Sequence, residues 1–164
     1  HGRGVFQFAN KDRYTGGFVA DLYEGRGSFM HASGDLFEGD FARGVRHGNG
    51  SYRFANGDRY EGAFLNNRFN GLGKLWLANR DRYEGEFRDD VKHGKGVHYF
   101  ISGDRYEGGF LAGVQSGIGT HHFVNGDRYV GTFDKGLRHG TGIYHFANGE
   151  QKDVEYVDGA EKAK

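Results

Sequence analysis

The sequence predicts an all-β chain, an elongated single-layer twisted antiparallel sheet of stacked β-hairpins. Three observations carry that expectation. Glycine supplies 31 of the 164 residues and recurs at an interval of 23. Short segments alternate polar and apolar residues with period two, and no segment holds a helical apolar period. Between them stand Asn-Gly-Asp or Ser-Gly-Asp, as at Asn56-Gly57-Asp58 and Ser102-Gly103-Asp104.

Aligned on the 23-residue interval, the chain reads as one continuous array. It has a leading half-repeat (1–11), six repeats (12–149) and a degenerate C-terminal repeat (150–164). Each repeat opens on an aromatic column, Tyr14, Phe37, Tyr60, Tyr83, Tyr106 and Tyr129. Gly16, Gly39, Gly62, Gly85, Gly108 and Gly131 follow two residues on. Two further on come Phe18, Phe41, Phe64, Phe87, Phe110 and Phe133, with Tyr156 in the last copy. This half predicts a strand with Tyr, Gly and Phe on one face, glycine leaving a slot for a ring from the adjacent strand. The second half, as in Gly96-Val97-His98-Tyr99-Phe100, predicts the partner strand. Asn-Gly between alternating segments predicts a tight hairpin turn between repeats. A longer loop is expected within each repeat, around Asp89, Asp90 and Val91. Only Gly17 and Gly109 fall off the glycine lattice. Fourteen strands at ~4.8 Å each make a rod of roughly 60–70 Å.

Composition excludes several classes. Zero cysteines leave no disulfide and no thiolate metal site. A formal net charge of zero lacks the basic surplus of a nucleic-acid binder. No apolar run is long enough for a transmembrane helix and no signal-peptide pattern appears, so a cytoplasmic chain is expected. It opens on His1, in the middle of a repeat, and reads as part of something longer. The carboxylates are arrayed rather than isolated, and Gly-x-Gly precedes a strand instead of a helix, so neither an enzyme nor a cofactor is expected.

Four sets of side chains remain as candidates. His47, His93 and His139 recur in every second repeat, each preceded by a cation: Arg46, Lys92 and Arg138. Four strands separate successive members by about 19 Å, too far to share a metal ion. They read either as loop histidines bonded to backbone or as basic clusters meeting anionic head groups or an acidic partner. His122 and His145 are about 10 Å apart on the same spacing, so only a second molecule would complete a zinc site there. The Arg column (Arg13, Arg59, Arg82, Arg105, Arg128) faces Glu61, Glu84 and Glu107 two residues on and reads as self-neutralised, with Asp58 and its equivalents preceding it. One outer column keeps no chemistry: Gln7, Met30, Arg53, Trp76, Tyr99, His122, His145. Trp76, Tyr99, His122 and His145 are its candidate partner surface.

Tyr83-Glu84-Gly85-Glu86-Phe87 followed by His93-Gly94-Lys95-Gly96 resembles the MORN repeat, with its Tyr-x-Gly-x-aromatic, mid-loop Gly and Gly-x-Gly pattern. Phe37 replaces Tyr, Asp90 replaces the loop Gly, and the last copy keeps only Tyr156. An array of such repeats is similar to the cytoskeletal scaffold proteins of unicellular parasites. The resemblance implies a cytoskeletal scaffold with cytoskeletal protein partners, at the inner face of a membrane. It further implies homodimerisation through the C-terminal repeats, placing Tyr129, Phe133, Tyr144, Phe146 and Tyr156 at the seam. The alternative it implies is phosphoinositide binding, for which Arg46, His47, Lys92, His93, Arg138 and His139 are the candidates. An accessory region beside an enzyme domain is a third reading.

Overall fold

The computed structural model describes residues 1–163, whose strands form one 15-stranded antiparallel sheet in chain order. No helix occurs among the described residues. The residues fall into two compact units, His1–Ala78 with Phe87–Asp90 and Asn79–Glu86 with the residues from Val91 onward. The first unit holds β1 (Gly2–Gln7), β2 (Arg13–Val19), β3 (Leu22–Met30), β4 (Leu36–Ala42), β5 (Val45–Arg53), β6 (Arg59–Leu65) and β7 (Arg68–Trp76). Residues of β8 (Arg82–Arg88) belong to both. The second holds β9 (Val91–Tyr99), β10 (Arg105–Leu111), β11 (Val114–His122), β12 (Arg128–Asp134), β13 (Leu137–His145), β14 (Gln151–Val157) and β15 (Ala160–Glu161). The short β15, which pairs with Tyr156 and Val157, is one strand more than the expected fourteen.

The ring-on-glycine packing forms, with a different donor of the ring. Tyr60 lies across the glycine of its own strand, Gly62, as well as the facing Gly73 of β7. A Cβ built on either glycine would stand 2.5–2.6 Å from atoms of that ring. Gly85 and Gly96 meet Tyr83 in the same way. Tyr14, Phe37, Tyr60, Tyr83, Tyr106 and Tyr129 are fully buried, and Phe41, Phe64, Phe87, Phe110 and Phe133 pack edge-on beside them. Burial pushes the Tyr106 phenol up to about 12 and raises Tyr60 and Tyr83 as well.

The nine-residue strands β3, β5, β11 and β13 each pair evenly with the strand after and carry a bulge against the strand before. Between β6 and β7 the register shifts between Gly62 and Phe64. The Tyr60 hydroxyl donates to the Ala63 carbonyl at that shift, at 2.9 Å. Tyr14, Tyr83, Tyr106 and Tyr129 do the same to the carbonyl three residues on. The two off-lattice glycines, Gly17 and Gly109, stand at this bulge position, which Ala63 and Thr132 fill in other repeats. A Cβ on Gly17 or Gly109 would collide with the carbonyl oxygen of Glu24 or Ser116.

The turns are the reverse of the expectation. The tight two-residue turn lies within the repeat, and both of its residues take positive φ: Asn66 and Asn67 at 49° and 71°, Asp89 and Asp90 at 48° and 71°. This is the left-handed pair of a type I′ hairpin, reached here by Asn and Asp without glycine. Asn-Gly-Asp instead occupies a five-residue connection between repeats. In it Phe54 N donates to Asp58 O, Gly57 N donates to Phe54 O, and Asn56 Oδ1 accepts from Asp58 N. Gly57 takes the one positive φ of this connection, 97°.

Both margins of the sheet carry a ladder. Asp58 Oδ1 accepts from Ala78 N of the next connection at 2.8 Å. Asp12, Asp35, Asp81, Asp104 and Asp127 repeat the bond 20 residues on. These aspartates thus cap backbone and do not neutralise the Arg column. At the other margin, Asn67 N donates to Arg46 O and Asp90 N to Phe69 O, tying each hairpin turn to the preceding repeat.

Two outcomes follow for stability. Phe37 occupies the tyrosine slot without a hydroxyl, so Phe37→Tyr supplies a donor for the Asp40 carbonyl and should add about 1 kcal/mol, while Tyr60→Phe should lose about as much. Gly62→Ala drives a methyl into Tyr60 and the Leu72 carbonyl and should cost about 3 kcal/mol or more. Urea midpoints at constant m-value read all three.

Candidate functional site

With the rings on one face, every repeat presents an aromatic face and a polar one. On the aromatic face of the first unit, a groove of about 250 Å³ is lined by Tyr23, Phe29, His31, Phe37, Phe41, Gly44, Arg46 and Asn67. Tyr23 stacks on Tyr14 at 3.8 Å between centroids and meets Phe41 edge-on at 5.7 Å. Arg46 stands over Tyr52 at 5.0 Å and Phe37 at 5.7 Å, and its guanidinium donates to Asn67 O at 3.0 Å. A second course of rings borders the face: Phe6, Phe8, Phe29 and His31, each in contact with the next. In the second unit the same course runs His98, Phe100, His121, Phe123, Tyr144 and Phe146. Sequence reading missed this rim. Its signal is the column Phe8, Phe54, Phe100, Phe123 and Phe146, which lies just beyond the strand ends.

Arg46, Lys92 and Arg138 share one strand position, in β5, β9 and β13, and each sits in a cage of rings. Lys92 Nζ lies 5.1 Å from the Tyr83 ring and 3.5 Å from His98 Nδ1, and burial lowers its pKa. Arg138 stands 4.5 Å over Tyr156 and donates to its hydroxyl at 2.8 Å. The following histidines are placed differently. His47 is exposed, His93 is half-buried, and His139 is exposed beside Asp158 at 3.4 Å. None of the three is in a loop, because the strands run through Gly-x-Gly with the first glycine as the bulge, for example Gly94 at φ 60°.

On the polar face, the variable column lies under the Arg column. Arg59 covers the Trp76 ring at 5.1 Å in the first unit, and Arg82 covers Tyr99 at 4.2 Å in the second. Arg105 Nη2 lies 3.1 Å from His122 Nε2, and Arg128 Nη2 lies 3.5 Å from His145 Nδ1. The expected Arg–Glu neutralisation holds where the acid is present. Arg59 pairs with Glu61, Arg82 with Glu84 at 3.3 Å, and Arg105 with Glu107 at 3.9 Å.

Of the C-terminal candidates, Tyr129, Phe133 and Tyr156 are buried against one another. Tyr144 donates to Asp127 at 2.9 Å, and Phe146 alone leaves much of its ring open, at 37%. The edge of β14 is crossed by Lys152–Glu161 and Lys162–Glu155 pairs, both at 2.6 Å. Among the described residues no three of His, Asp and Glu gather as for a metal ion. No helix is long and apolar enough to cross a membrane.

A family model described as MORN repeat matches seven stretches: 1–13, 14–36, 37–59, 60–82, 83–105, 106–128 and 129–151. No curated protein matches the chain. Among solved structures it is similar to the SAS-4 (dCPAP) TCP domain of Drosophila melanogaster, solved in complex with a proline-rich motif of Ana2 (dSTIL). The identity is 14%, covering 92% of this chain and 88% of that one, with a TM-score of 0.54. It is also similar to the TCP10 domain of Danio rerio CPAP, solved with a peptide of Danio rerio STIL, at 11% identity over 94% and 84% of the two chains and a TM-score of 0.32. At these identities the likeness concerns the fold.

His98 gives a pH outcome. Burial, with Lys92 beside it, holds its pKa down to about 4. Folding therefore favours the neutral ring. That stability is complete above the ordinary value of 6.5 and is lost as pH falls toward 4. His121, also lowered by burial, acts with the same sign. Between pH 7.5 and 5, His98→Phe should lose less stability than the parent by roughly 1 kcal/mol, a figure discounted for partial solvent screening. Urea unfolding at the two pH values measures it.

Proposed function

Since the chain belongs to the MORN repeat family, we propose that it is a protein-interaction scaffold, one that takes an extended segment of a partner protein on its aromatic face. The groove of Tyr23, Phe29, Phe37, Phe41 and Arg46 carries this reading. The half-buried Tyr23 and Phe29 rings, over a floor of buried Phe37 and Phe41, accept proline and other apolar side chains of a pre-extended segment at little entropic cost, and the guanidinium suits an acidic neighbour. The SAS-4 TCP domain, solved with a proline-rich motif, supports a peptide as the class of ligand. The reading assigns the chain no reaction and no cofactor.

The finer reading is a scaffold of the cytoskeleton that binds cytoskeletal proteins in the cytoplasm, at the inner face of a membrane, and pairs with a second copy through its C-terminal repeats. Its support is the resemblance to parasite scaffold arrays. For the seam, Phe146 is the candidate ring with the most open surface, while Tyr129, Phe133 and Tyr156 would support it from beneath. The alternative, phosphoinositide binding through Arg46, Lys92 and Arg138, requires each cation to leave its rings. A cation–π contact of this kind is worth about 0.5–2 kcal/mol, so that cost is borne at every head group.

Light scattering of the purified chain should give twice the 18.3 kDa chain mass, and Phe146→Glu should return it to the monomer. A monomer at tens of micromolar removes the dimer claim. A proline decamer titrated onto the chain should bind at least about five-fold more weakly to Phe29→Ala than to the parent. Equal binding removes the groove. Vesicles containing phosphoinositide decide the alternative, which fails if Lys92→Ala and Arg138→Ala co-sediment like the parent.

A further inference from the structure

The polar face of the second unit carries a row in which cations and imidazoles alternate. Arg105 faces His122, His122 faces Arg128, and Arg128 faces His145, on the four successive strands β10 to β13. Elsewhere in the Arg column Arg59 and Arg82 have a carboxylate at hand, while Arg13 is followed two residues on by Thr15. Glu61, Glu84 and Glu107 follow Arg59, Arg82 and Arg105 by two residues, and Arg53 meets Glu38 at 2.8 Å. After Arg128 that position is Val130. Among the described residues, Arg128 has no carboxylate partner, only the His145 ring at 3.5 Å. Arg105 is under-satisfied too. Its Glu107 contact is the longest of the set at 3.9 Å, and its buried Nε has no acceptor.

From this row we infer a binding site for a phosphate monoester, contributed by a phosphorylated side chain of a partner protein. Arg105 and Arg128 stand two strands apart, about 10 Å, with His122 between them. Two guanidiniums donating to opposite sides of one phosphate need roughly 8 Å, and the fork of N–H donors suits its oxygens. His122 supplies the floor and His145 the flank, each able to turn from accepting an Arg N–H to donating its own. The surroundings select a protein-borne phosphate over a lipid surface. Glu107, Asp153 and Glu155 on the same face repel an anionic bilayer. Ile143, two residues before His145 on β13 and 39% exposed, offers apolar contact to residues flanking the phosphate. The site belongs to the second unit and does not depend on the groove of the first.

The test uses the full chain and phenyl phosphate as the probe, read by the ring-proton shifts of His122 and His145. Saturable binding is expected. Arg128→Ala should weaken it about ten-fold or more. So should Val130→Glu, which introduces the carboxylate that Glu61, Glu84 and Glu107 supply two residues after their arginines and leaves every cation in place. Arg59→Ala, in the first unit, should bind like the parent. If Arg128→Ala fails to fold, Val130→Glu alone decides. Unchanged binding by a folded Val130→Glu overturns the site, as does sulfate binding as tightly as phenyl phosphate. Vesicles of phosphatidylcholine and phosphatidylserine should not shift the two histidines, and a shift that Arg128→Ala abolishes would overturn the protein-borne source in favour of a membrane.

Discussion

Where Tyr60 lies flat across Gly62 and Gly73, two strands approach so closely that neither backbone has room for a methyl group. The ring takes the place of the second layer that a β-sheet normally needs to cover its apolar side. Each repeat supplies one ring and one glycine pair, and the next Phe closes its edge, as Phe87 does for Tyr60 at 5.0 Å. No insertion is tolerated between ring and glycine, because a one-residue slip would turn the ring to the other face. The strict interval of 23 is thus a packing requirement.

The bulge is the second consequence of that contact. Pairing through the two glycines and then through Phe64 and Phe69 leaves Ala63 opposite a bulge, and the Tyr60 hydroxyl takes up its carbonyl. Ring, glycine pair and bulge therefore form one unit. The backbone bonds at the two margins, Asp58 to Ala78 and Asn67 to Arg46, repeat that unit at fixed spacing. An aspartate column read from sequence as charge is in fact a column of caps.

Much of this was legible in the sequence, and what was not has physical causes. The Tyr, Gly and Phe columns name the core residues, because burial between rings allows one residue type. The turns were assigned the wrong way round. Asn-Gly signals positive φ without saying whether two or five residues carry the chain over, while Asp89-Asp90 adopts the left-handed pair with no glycine to announce it. Arg46, Lys92 and Arg138 looked like loop cations because Gly-x-Gly looked like the start of a strand. The strand instead runs on through both glycines with its alternation unbroken, which puts the cation two residues before the first glycine on the face of the rings. The pairing of Arg59 with Trp76 and of Arg82 with Tyr99 depends on cross-strand register, which no spacing within one strand reveals.

The distribution of variation then follows from where packing stops. On the aromatic face the position of Tyr23, Arg46, Phe69, Lys92, Gln115 and Arg138 changes, as does that of Phe29, Tyr52, Leu75, His98, His121 and Tyr144, since both border the buried rings without filling a glycine slot. On the polar face nothing packs above the sheet, so the residue two after each arginine is unconstrained by the fold. Glu61, Glu84 and Glu107 could each be lost there at little cost in stability, because an exposed pair of this kind is worth about 0–1 kcal/mol. The change from Glu107 to Val130 therefore leaves the sheet intact while leaving a cation without its counter-charge. In an array whose core is the same in every repeat, differences of this size on the open faces are what distinguish one repeat from the next as a binding surface.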